Sequence, residues 1–269
     1  MSASSQRFLA AARRTLDVGG VRLTFAQHFF DVPVAQPRRL PRRADLTGLK
    51  VWPTAIRLLE RLERDELPQL RARALADGRP LLRVLELGSG TGVLGLGVAA
   101  LGGASVTVTD PNLEVNFSEF SSGSSLAWLQ ANVDANRVAI EAVGSAAEAR
   151  ELEWSTASHA AALRAACLPL PGDAFDLVLG SELLYDADHY GALVGVLRDF
   201  CAPGRTTALL GFTHRHDGEK RFLRAASAHF EVEVERFAGS AGTPTWEIAT
   251  LRARAEPCDG APDEELSSA

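Results

Sequence analysis

The residues most able to do chemistry lie in a glycine-rich turn. Residues 84–95 read VLELGSGTGVLG, so an apolar strand runs directly into closely spaced glycines and then into a helix-like segment. Such a turn lets the backbone approach a ligand and directs helix N-terminal amides at it. Residues 90–95 also fit G-x-G-x-x-G, and Asp110 follows Gly90 at the spacing of the ribose-binding acid in dinucleotide folds. Spacing alone therefore allows a nicotinamide dinucleotide as the ligand.

Glu86 changes the expected ligand. It precedes the glycines to give E-x-G-x-G-x-G over residues 86–92, which resembles the pattern of class I S-adenosylmethionine methyltransferases. A pyrophosphate would be repelled by the carboxylate, whereas S-adenosylmethionine carries an ammonium, a cationic sulfonium and no phosphate. We therefore expect S-adenosylmethionine as the cofactor, with Asp110 ending the next strand where its oxygens can hold two ribose hydroxyls.

A second motif indicates a family. Residues 175–185 read FDLVLGSELLY, and this segment resembles methyltransferase family 16, the seven-β-strand protein lysine methyltransferases, whose hallmark is acid-x-x-aromatic at the end of strand four. The hallmark is Glu182 to Tyr185 in this chain. The resemblance extends to V-W-P-x-A at residues 51–55 and to an apolar-acid-Trp element at residues 152–154. It covers residues 18–254 and is greatest for the methyltransferase-like 21 group.

The resemblance implies a role for each matching residue. Glu86 and the backbone of Gly88, Ser89 and Gly90 would border the cofactor, Trp52 its methionine end and Trp154 its adenine. Asp110 would hold the ribose, and Ser181 would contact the cofactor through its main chain. Glu182 and Tyr185 are the catalytic candidates, at the channel through which the target lysine enters.

The sequence departs from the family pattern at three places. The acid is Glu182 where aspartate is commoner, a serine-rich insertion occupies residues 113–125, and a basic loop lies at residues 37–43. The first departure leaves the chemistry intact. The two loops leave the substrate open, because loops around a channel select the partner.

The resemblance implies a protein-lysine N-methyltransferase acting on a non-histone protein, such as an Hsp70-type chaperone, an AAA ATPase or a translation factor. Two alternatives remain from the residues themselves: a different nitrogen acceptor, either a protein histidine or a small molecule, or a cofactor-binding interaction protein without turnover. Nucleic acid is not expected as a partner, because the chain is acidic and lacks an N/D-P-P-Y/F tetrad. No spacing of ligating residues indicates a metal.

Composition bounds the class of protein. The 269 residues are 46% hydrophobic and 23% charged with a net charge of −6, which is typical of a globular protein. The apolar stretches are too short for a membrane span, and Cys167, Cys201 and Cys258 are too widely spaced for a disulfide framework or a zinc site. We expect a cytoplasmic monomer that could also enter the nucleus. Residues 1–16 are rich in arginine and serine without acids, so a mitochondrial transit peptide is the alternative.

The elements that must position these residues follow from periodicity. Alternating strands and helices predict an α/β, Rossmann-like class I methyltransferase fold: a mostly parallel seven-stranded sheet with helices on both faces, a C-terminal antiparallel hairpin and a short N-terminal β/α extension. We predict one domain over 18–254, after a flexible segment 1–17 and before an acidic disordered tail 255–269. The predicted strands are 21–25, 82–87, 105–109, 149–153, 175–180, 206–212, 230–237 and 245–251, and the predicted helices are 53–67, 68–76, 93–101, 126–136, 187–200 and 218–229.

Four side chains on these elements have structural interpretations only. Trp128 is predicted to pack its helix and Trp246 its strand. Asn132 and Asn136 lie one turn apart and are predicted to be helix surface.

Overall fold

The structure, a computed structural model, describes residues 12–27, 47–118, 121–214, 218–239 and 245–255. Of the segment 1–17 predicted to be flexible, residues 1–11 lie outside the described residues, and residues 12–17 belong to a strand. The basic loop 37–43 and the tail beyond residue 255 also lie outside the described residues. The described chain forms a seven-stranded sheet and two separate two-stranded hairpins. In chain order, the strands are β1 (Ala12–Val18), β2 (Val21–Gln27), β3 (Leu82–Leu87), β4 (Ala104–Asp110), β5 (Glu114–Ser118), β6 (Ser121–Ser124), β7 (Ala146–Glu151), β8 (Leu177–Ser181), β9 (Thr207–Thr213), β10 (Phe230–Phe237) and β11 (Trp246–Ala253).

Helices connect these strands. They are α1 (Pro53–Arg61), α2 (Leu67–Ala76), α3 (Val93–Ala100), α4 (Ser125–Glu141), α5 (Ala157–Cys167), α6 (Tyr190–Phe200) and α7 (Gly218–Ser227). Short 3₁₀ turns occupy Thr47–Leu49 and Ala187–His189. No helix among the described residues has the length and apolar character needed to cross a membrane.

The strand order of the large sheet is β10-β11-β9-β8-β3-β4-β7. Strands β7, β4, β3, β8 and β9 are parallel, and β11 pairs antiparallel with both β9 and β10. The chain runs outward from β3 to β4 and β7 and then returns to β8 on the other side of β3. The order therefore reverses between β3 and β8, and in open α/β sheets ligands bind outside the carboxyl ends of the strands at such a reversal. The predicted fold class is confirmed.

Both faces of the sheet are covered, because successive side chains of its central strands point to opposite faces. Val84 and Leu179 belong to a buried cluster with α1 and α3, whereas Leu85 and Val178 belong to a second buried cluster with α6. Trp128 and Trp246 are 3% and 9% exposed, as their packing interpretation predicts.

The prediction for Asn132 and Asn136 was wrong. Both are buried, at 1% and 2% exposure, and each side-chain amide bonds to the outer edge of β2. Asn136 accepts from Thr24 N (2.7 Å) and donates to Thr24 O (2.9 Å), and Asn132 does the same with Ala26 (2.8 and 3.2 Å). Two amides one helical turn apart thus replace a neighbouring strand and attach the hairpin to α4.

Other differences concern element boundaries. Helix α5 was not predicted, because only Leu163 is buried and its alanine-rich sequence has no apolar period. The break expected at Pro68 is a π-helical segment, Leu62–Glu66, that joins α1 to α2 without interruption. The insertion predicted at 113–125 contains the antiparallel hairpin β5–β6.

Candidate active site

The glycine loop leaves β3 at the point where the strand order reverses. Gly88, Gly90 and Gly92 have φ values of 55°, 55° and 77°, which side chains rarely adopt. A Cβ on Gly90 would collide with the carbonyl oxygen of Gly48, and one on Gly88 would lie 2.8 Å from Leu183 Cδ2. The loop is therefore closely approached from two sides, by the segment before α1 and by the segment after β8.

Glu86 lies beneath this loop. Its carboxylate accepts a hydrogen bond from Gly95 N at 3.0 Å, in the first turns of α3, and the side chain is 3% exposed. Burial raises the pKa of Glu86 to about 8, with a smaller contribution from the negative charge of Asp110 and opposing contributions from the hydrogen bonds of Gly95 and Ser89. The structure thus places Glu86 between the sheet and the helix that starts at the loop.

Asp110 and Ser89 fix the loop against β4. Asp110 Oδ2 accepts from Gly90 N at 2.9 Å, while the side chain is 8% exposed at the end of β4. Ser89 Oγ accepts from Thr109 N at 3.0 Å, and Ser89 N donates to Thr109 O at 2.7 Å. Both the side-chain oxygen and the backbone N–H of Ser89 are thus bonded to β4.

Two buried polar atoms beside the loop have no hydrogen-bond partner among the described residues. They are Trp154 Nε1 and Ser181 Oγ. The Trp154 ring covers Gly88, since its Cζ2 lies 3.3 Å from where a Cβ would be, and Ser181 ends β8 next to β3. Buried donors and hydroxyls without partners call for an explanation such as a ligand. The close backbone approach and these two atoms together fit a polar, ring-containing cofactor.

Trp52 lies at the same edge, two residues before Thr54. It immediately precedes α1, and Lys50 Nζ stands 4.8 Å from the centroid of its indole ring. The side chain is partly exposed.

Glu182 has a backbone conformation that is rare for its residue type. Its φ is 59°, and it is the one non-glycine residue with positive φ in the part of the chain that the structure describes. For a residue with a long side chain this costs of the order of 1–3 kcal/mol, and such residues cluster at functional sites. The side chain is 8% exposed, and its Oε1 accepts hydrogen bonds from the hydroxyls of Thr54 and Thr213, the latter at 2.7 Å.

Tyr185, three residues further on, is 47% exposed. It follows Leu183 and Leu184, which are buried against the second core cluster. The motif therefore presents one fixed acid and one exposed aromatic ring at the carboxyl end of β8. Within the described ranges, no group of three or more His, Cys, Asp or Glu side chains is placed to hold a metal ion.

Sequence reasoning missed two residues at this site, Thr54 and Thr213. Thr54 occupies the variable position of the V-W-P-x-A segment, and Thr213 ends β9, which is the next parallel strand after β8. A polar residue at the carboxyl end of the neighbouring parallel strand was the available signal. No sequence signal indicated the contact of Thr54, because 128 residues separate Thr54 from Glu182.

The fold and this crevice define the class of protein. A seven-stranded sheet with one antiparallel strand inserted beside its edge, and a glycine loop at the reversal of strand order, form a class I, Rossmann-like methyltransferase. The profile of a protein family described as lysine methyltransferase matches residues 42–229. The chain therefore belongs to the lysine methyltransferase family, and its cofactor is S-adenosylmethionine.

The chain is similar in sequence to two named methyltransferases. The chain is 31% identical over 186 residues to mouse EEF1A lysine methyltransferase 3 and 32% identical over 151 residues to the zebrafish (Danio rerio) protein N-lysine methyltransferase METTL21A. These matches cover 69% and 56% of this chain, and they span 65% and 58% of the length of the two relatives. Among solved structures, a transferase of Pyrococcus horikoshii matches 90% of this chain and 71% of its own, with a TM-score of 0.45 and 11% identity.

Proposed function

We propose that this chain is an S-adenosylmethionine-dependent protein-lysine N-methyltransferase that modifies a non-histone protein. The observation that carries the proposal is the position of Glu182 in a lysine methyltransferase family member. Its carboxylate is fixed at the carboxyl end of β8, and the adjoining Leu183 touches the glycine loop. A fixed anion beside the methyl donor suits an acceptor that arrives as an ammonium ion.

For the cofactor, we propose contacts along the crevice. The backbone of Gly88, Ser89 and Gly90 would lie against it, and Trp154 would flank the adenine. Asp110, whose Oδ2 bonds to Gly90 N, would use its other acceptor positions for the ribose hydroxyls. Ser181 would contact the cofactor and Trp52 would border its methionine end. Glu86 would act through the loop that it supports, because its carboxylate bonds to Gly95 N.

Bound S-adenosylmethionine would supply a methyl group on a sulfonium, and transfer of this group to the lysine nitrogen would leave the electron pair of the broken bond on sulfur. The protein must provide orientation and a neutral amine, because a lysine with a pKa near 10.4 is almost fully protonated at neutral pH. Glu182 would attract and orient the arriving ammonium. Tyr185 would supply an aromatic wall that attracts cations and excludes water, which favours loss of the proton.

Only the class of the substrate protein is proposed. One relative is named for methylating EEF1A, and the resemblance drawn from the sequence includes enzymes that act on chaperones and ATPases. We propose a substrate of this kind: an EEF1A-like protein, an Hsp70-type chaperone or another ATPase. We further propose that the enzyme works as a monomer in the cytoplasm.

The proposal can be tested with the cell extract of the source organism. Purified protein is incubated with the extract and tritiated S-adenosylmethionine, and the proteins are separated on a gel. We expect one or a few labelled bands with the wild type and none with Glu182→Ala. Acid hydrolysis of a labelled band would then yield methylated lysine.

Controls separate the parts of the proposal. Calorimetry with S-adenosylhomocysteine shows whether Glu182→Ala still binds the cofactor product, and it should bind normally. Label in methylhistidine or only in small molecules would replace lysine by another acceptor. Normal labelling by Glu182→Ala would contradict the role given to this acid, and a wild type that binds the cofactor but labels nothing would indicate a noncatalytic protein.

A further inference from the structure

Two threonine hydroxyls converge on one oxygen of Glu182. Thr54 Oγ1 and Thr213 Oγ1 both donate to Glu182 Oε1, the second at 2.7 Å, and the two hydroxyl oxygens are 3.3 Å apart. Thr54 is 2% exposed near the start of α1, and Thr213 is partly buried at the end of β9. The acid is thus held from two elements that are distant in sequence.

The backbone of Glu182 is held as well. Its N–H donates to Gly211 O at 2.8 Å, which ties the left-handed residue to β9 two positions before Thr213. Gly211 also packs against α1, since a Cβ on it would lie 3.2 Å from Thr54 Cγ2. Both the backbone position of Glu182 and the direction of its carboxylate are therefore fixed.

These contacts bear on what the acid can do. The two hydroxyl hydrogen bonds and the backbone hydrogen bond restrict where the Glu182 carboxylate can point. The same contacts keep a negative charge aimed in one direction, which is what an incoming ammonium ion requires.

We propose that Thr54 and Thr213 are positioning residues that hold the Glu182 carboxylate as an oriented anion for the lysine ammonium. The proton of the ammonium ion passes to water before the nitrogen attacks the methyl carbon. The inference rests on the proposed lysine methylation and extends it to two residues with no motif assignment.

The test compares isosteric and conservative variants. Thr54→Val and Thr213→Val remove each hydroxyl while keeping the shape, and Thr54→Ser and Thr213→Ser keep the hydroxyl. Thr206→Val is the matched control: this buried threonine precedes β9 at its other end, donates to Phe175 O at 2.7 Å and does not touch Glu182. Label transfer to extract proteins from tritiated S-adenosylmethionine is measured at several extract dilutions, and S-adenosylhomocysteine binding by calorimetry.

A second readout does not depend on turnover. The n-butylammonium ion serves as a probe for the lysine side chain, and its binding to the protein saturated with S-adenosylhomocysteine is followed by NMR line broadening. We expect each valine variant to lower label transfer at limiting extract and probe affinity by about tenfold. Both serine variants should keep the label transfer and the probe affinity of the wild type. Thr206→Val should also leave label transfer and probe affinity unchanged, even if it unfolds at a lower temperature. Cofactor-product binding should be the same in all variants.

The outcomes distinguish this inference from the proposed function. Valine variants that transfer label as fast as the wild type or faster would overturn the inference. Equal losses in the valine variants and in Thr206→Val would also overturn it, because they would reduce the effect to stability. If the wild type labelled no protein, the proposed function would fail, and the difference in n-butylammonium binding would still decide the role of the threonines.

Discussion

Glu86 shows how one residue can belong to a ligand motif and still face the protein interior. The sequence pattern places an acid before the glycines because a cationic cofactor tolerates it. In the structure, the carboxylate is buried below the loop and bonds to Gly95 N. Burial therefore disfavours the charged form of Glu86, and the protonation of this side chain is linked to folding.

The first prediction concerns the pH dependence of stability. The pKa of Glu86 is about 8 in the folded chain and near 4.5 in the unfolded one. The folded state binds more protons between these values, so this stabilisation is complete below pH 4.5 and is lost as pH rises to about 8. We expect Glu86→Gln to remove this pH-dependent decrease in the free energy of unfolding, which is at most about 5 kcal/mol. Urea unfolding at pH 5, 7 and 8.5 without cofactor measures it; parallel pH profiles for the two proteins would contradict it.

The second prediction concerns Tyr185, whose ring is 47% exposed and therefore adds little to folding. We expect Tyr185→Ala to lower methyl transfer by roughly 3- to 30-fold through the loss of the aromatic wall. Its free energy of unfolding should stay within about 0.5 kcal/mol of the wild type. Tyr185→Phe is the matched control and should retain most activity. Equal activity of the alanine and phenylalanine variants would exclude a role for the ring.

At the scale of elements, α4 connects the N-terminal hairpin β1–β2 to the glycine loop. Asn132 Nδ2 donates both to Ala26 O in β2 and to Thr91 O in the glycine loop, at 3.2 and 2.9 Å. Trp128 Nε1 also donates to Ala26 O, at 3.0 Å. Asn136, one turn further, holds Thr24 in β2 and bonds to the backbone of Asn132. The hairpin and the loop therefore share one side chain, Asn132.

This arrangement predicts different effects for two similar substitutions. Asn132→Ala and Asn136→Ala should each destabilise the fold by about 1–3 kcal/mol, because buried backbone groups of β2 lose their partners. Only Asn132→Ala also releases Thr91 O, so only this variant should weaken S-adenosylhomocysteine binding. Urea unfolding and calorimetry measure the two effects. Equal cofactor-product affinity in both variants would show that the hairpin and the loop are independent.

At the scale of the whole molecule, the reversal of strand order brings the site together. The glycine loop follows β3, Asp110 ends β4, and Glu182 follows β8, so three neighbouring parallel strands end at one crevice. The segment before α1 closes this crevice, as the contact of Gly48 with Gly90 shows. A ligand bound here contacts elements from both halves of the sheet and should stabilise the whole fold.

The fourth prediction tests this linkage. S-adenosylhomocysteine at about 100 times its Kd should raise the free energy of unfolding by about 2.7 kcal/mol. Gly90→Ala should lose this increment, because the new methyl group would collide with Gly48 O. Gly144→Ala is the control: its φ of 73° is also strained for alanine, but no atom lies within 4 Å of the new Cβ. Urea unfolding with and without the ligand gives the increments, and an unchanged increment in Gly90→Ala would argue against binding at this loop.

Much of this protein was determined by local sequence. Periodicity depends on which side chains face the core, and it predicted β3 and β10 at the bounds that the structure gives. Alternation of strands and helices was enough for the fold class. The glycine loop and the motif at residues 182–185 were predicted because each is a short pattern of adjacent residues, and Asp110 was predicted from its spacing to Gly90.

Only the tertiary structure decided how these pieces act on one another. Helix α5 lacks an apolar period, and Asn132 and Asn136 look like surface until β2 is placed beside them. The hydroxyls of Thr54 and Thr213 reach Glu182 from 128 and 31 residues away. Hydrogen bonds between such distant residues depend on strand order and on helix placement, which the global burial of the two core clusters sets. Local patterns carry no record of that placement.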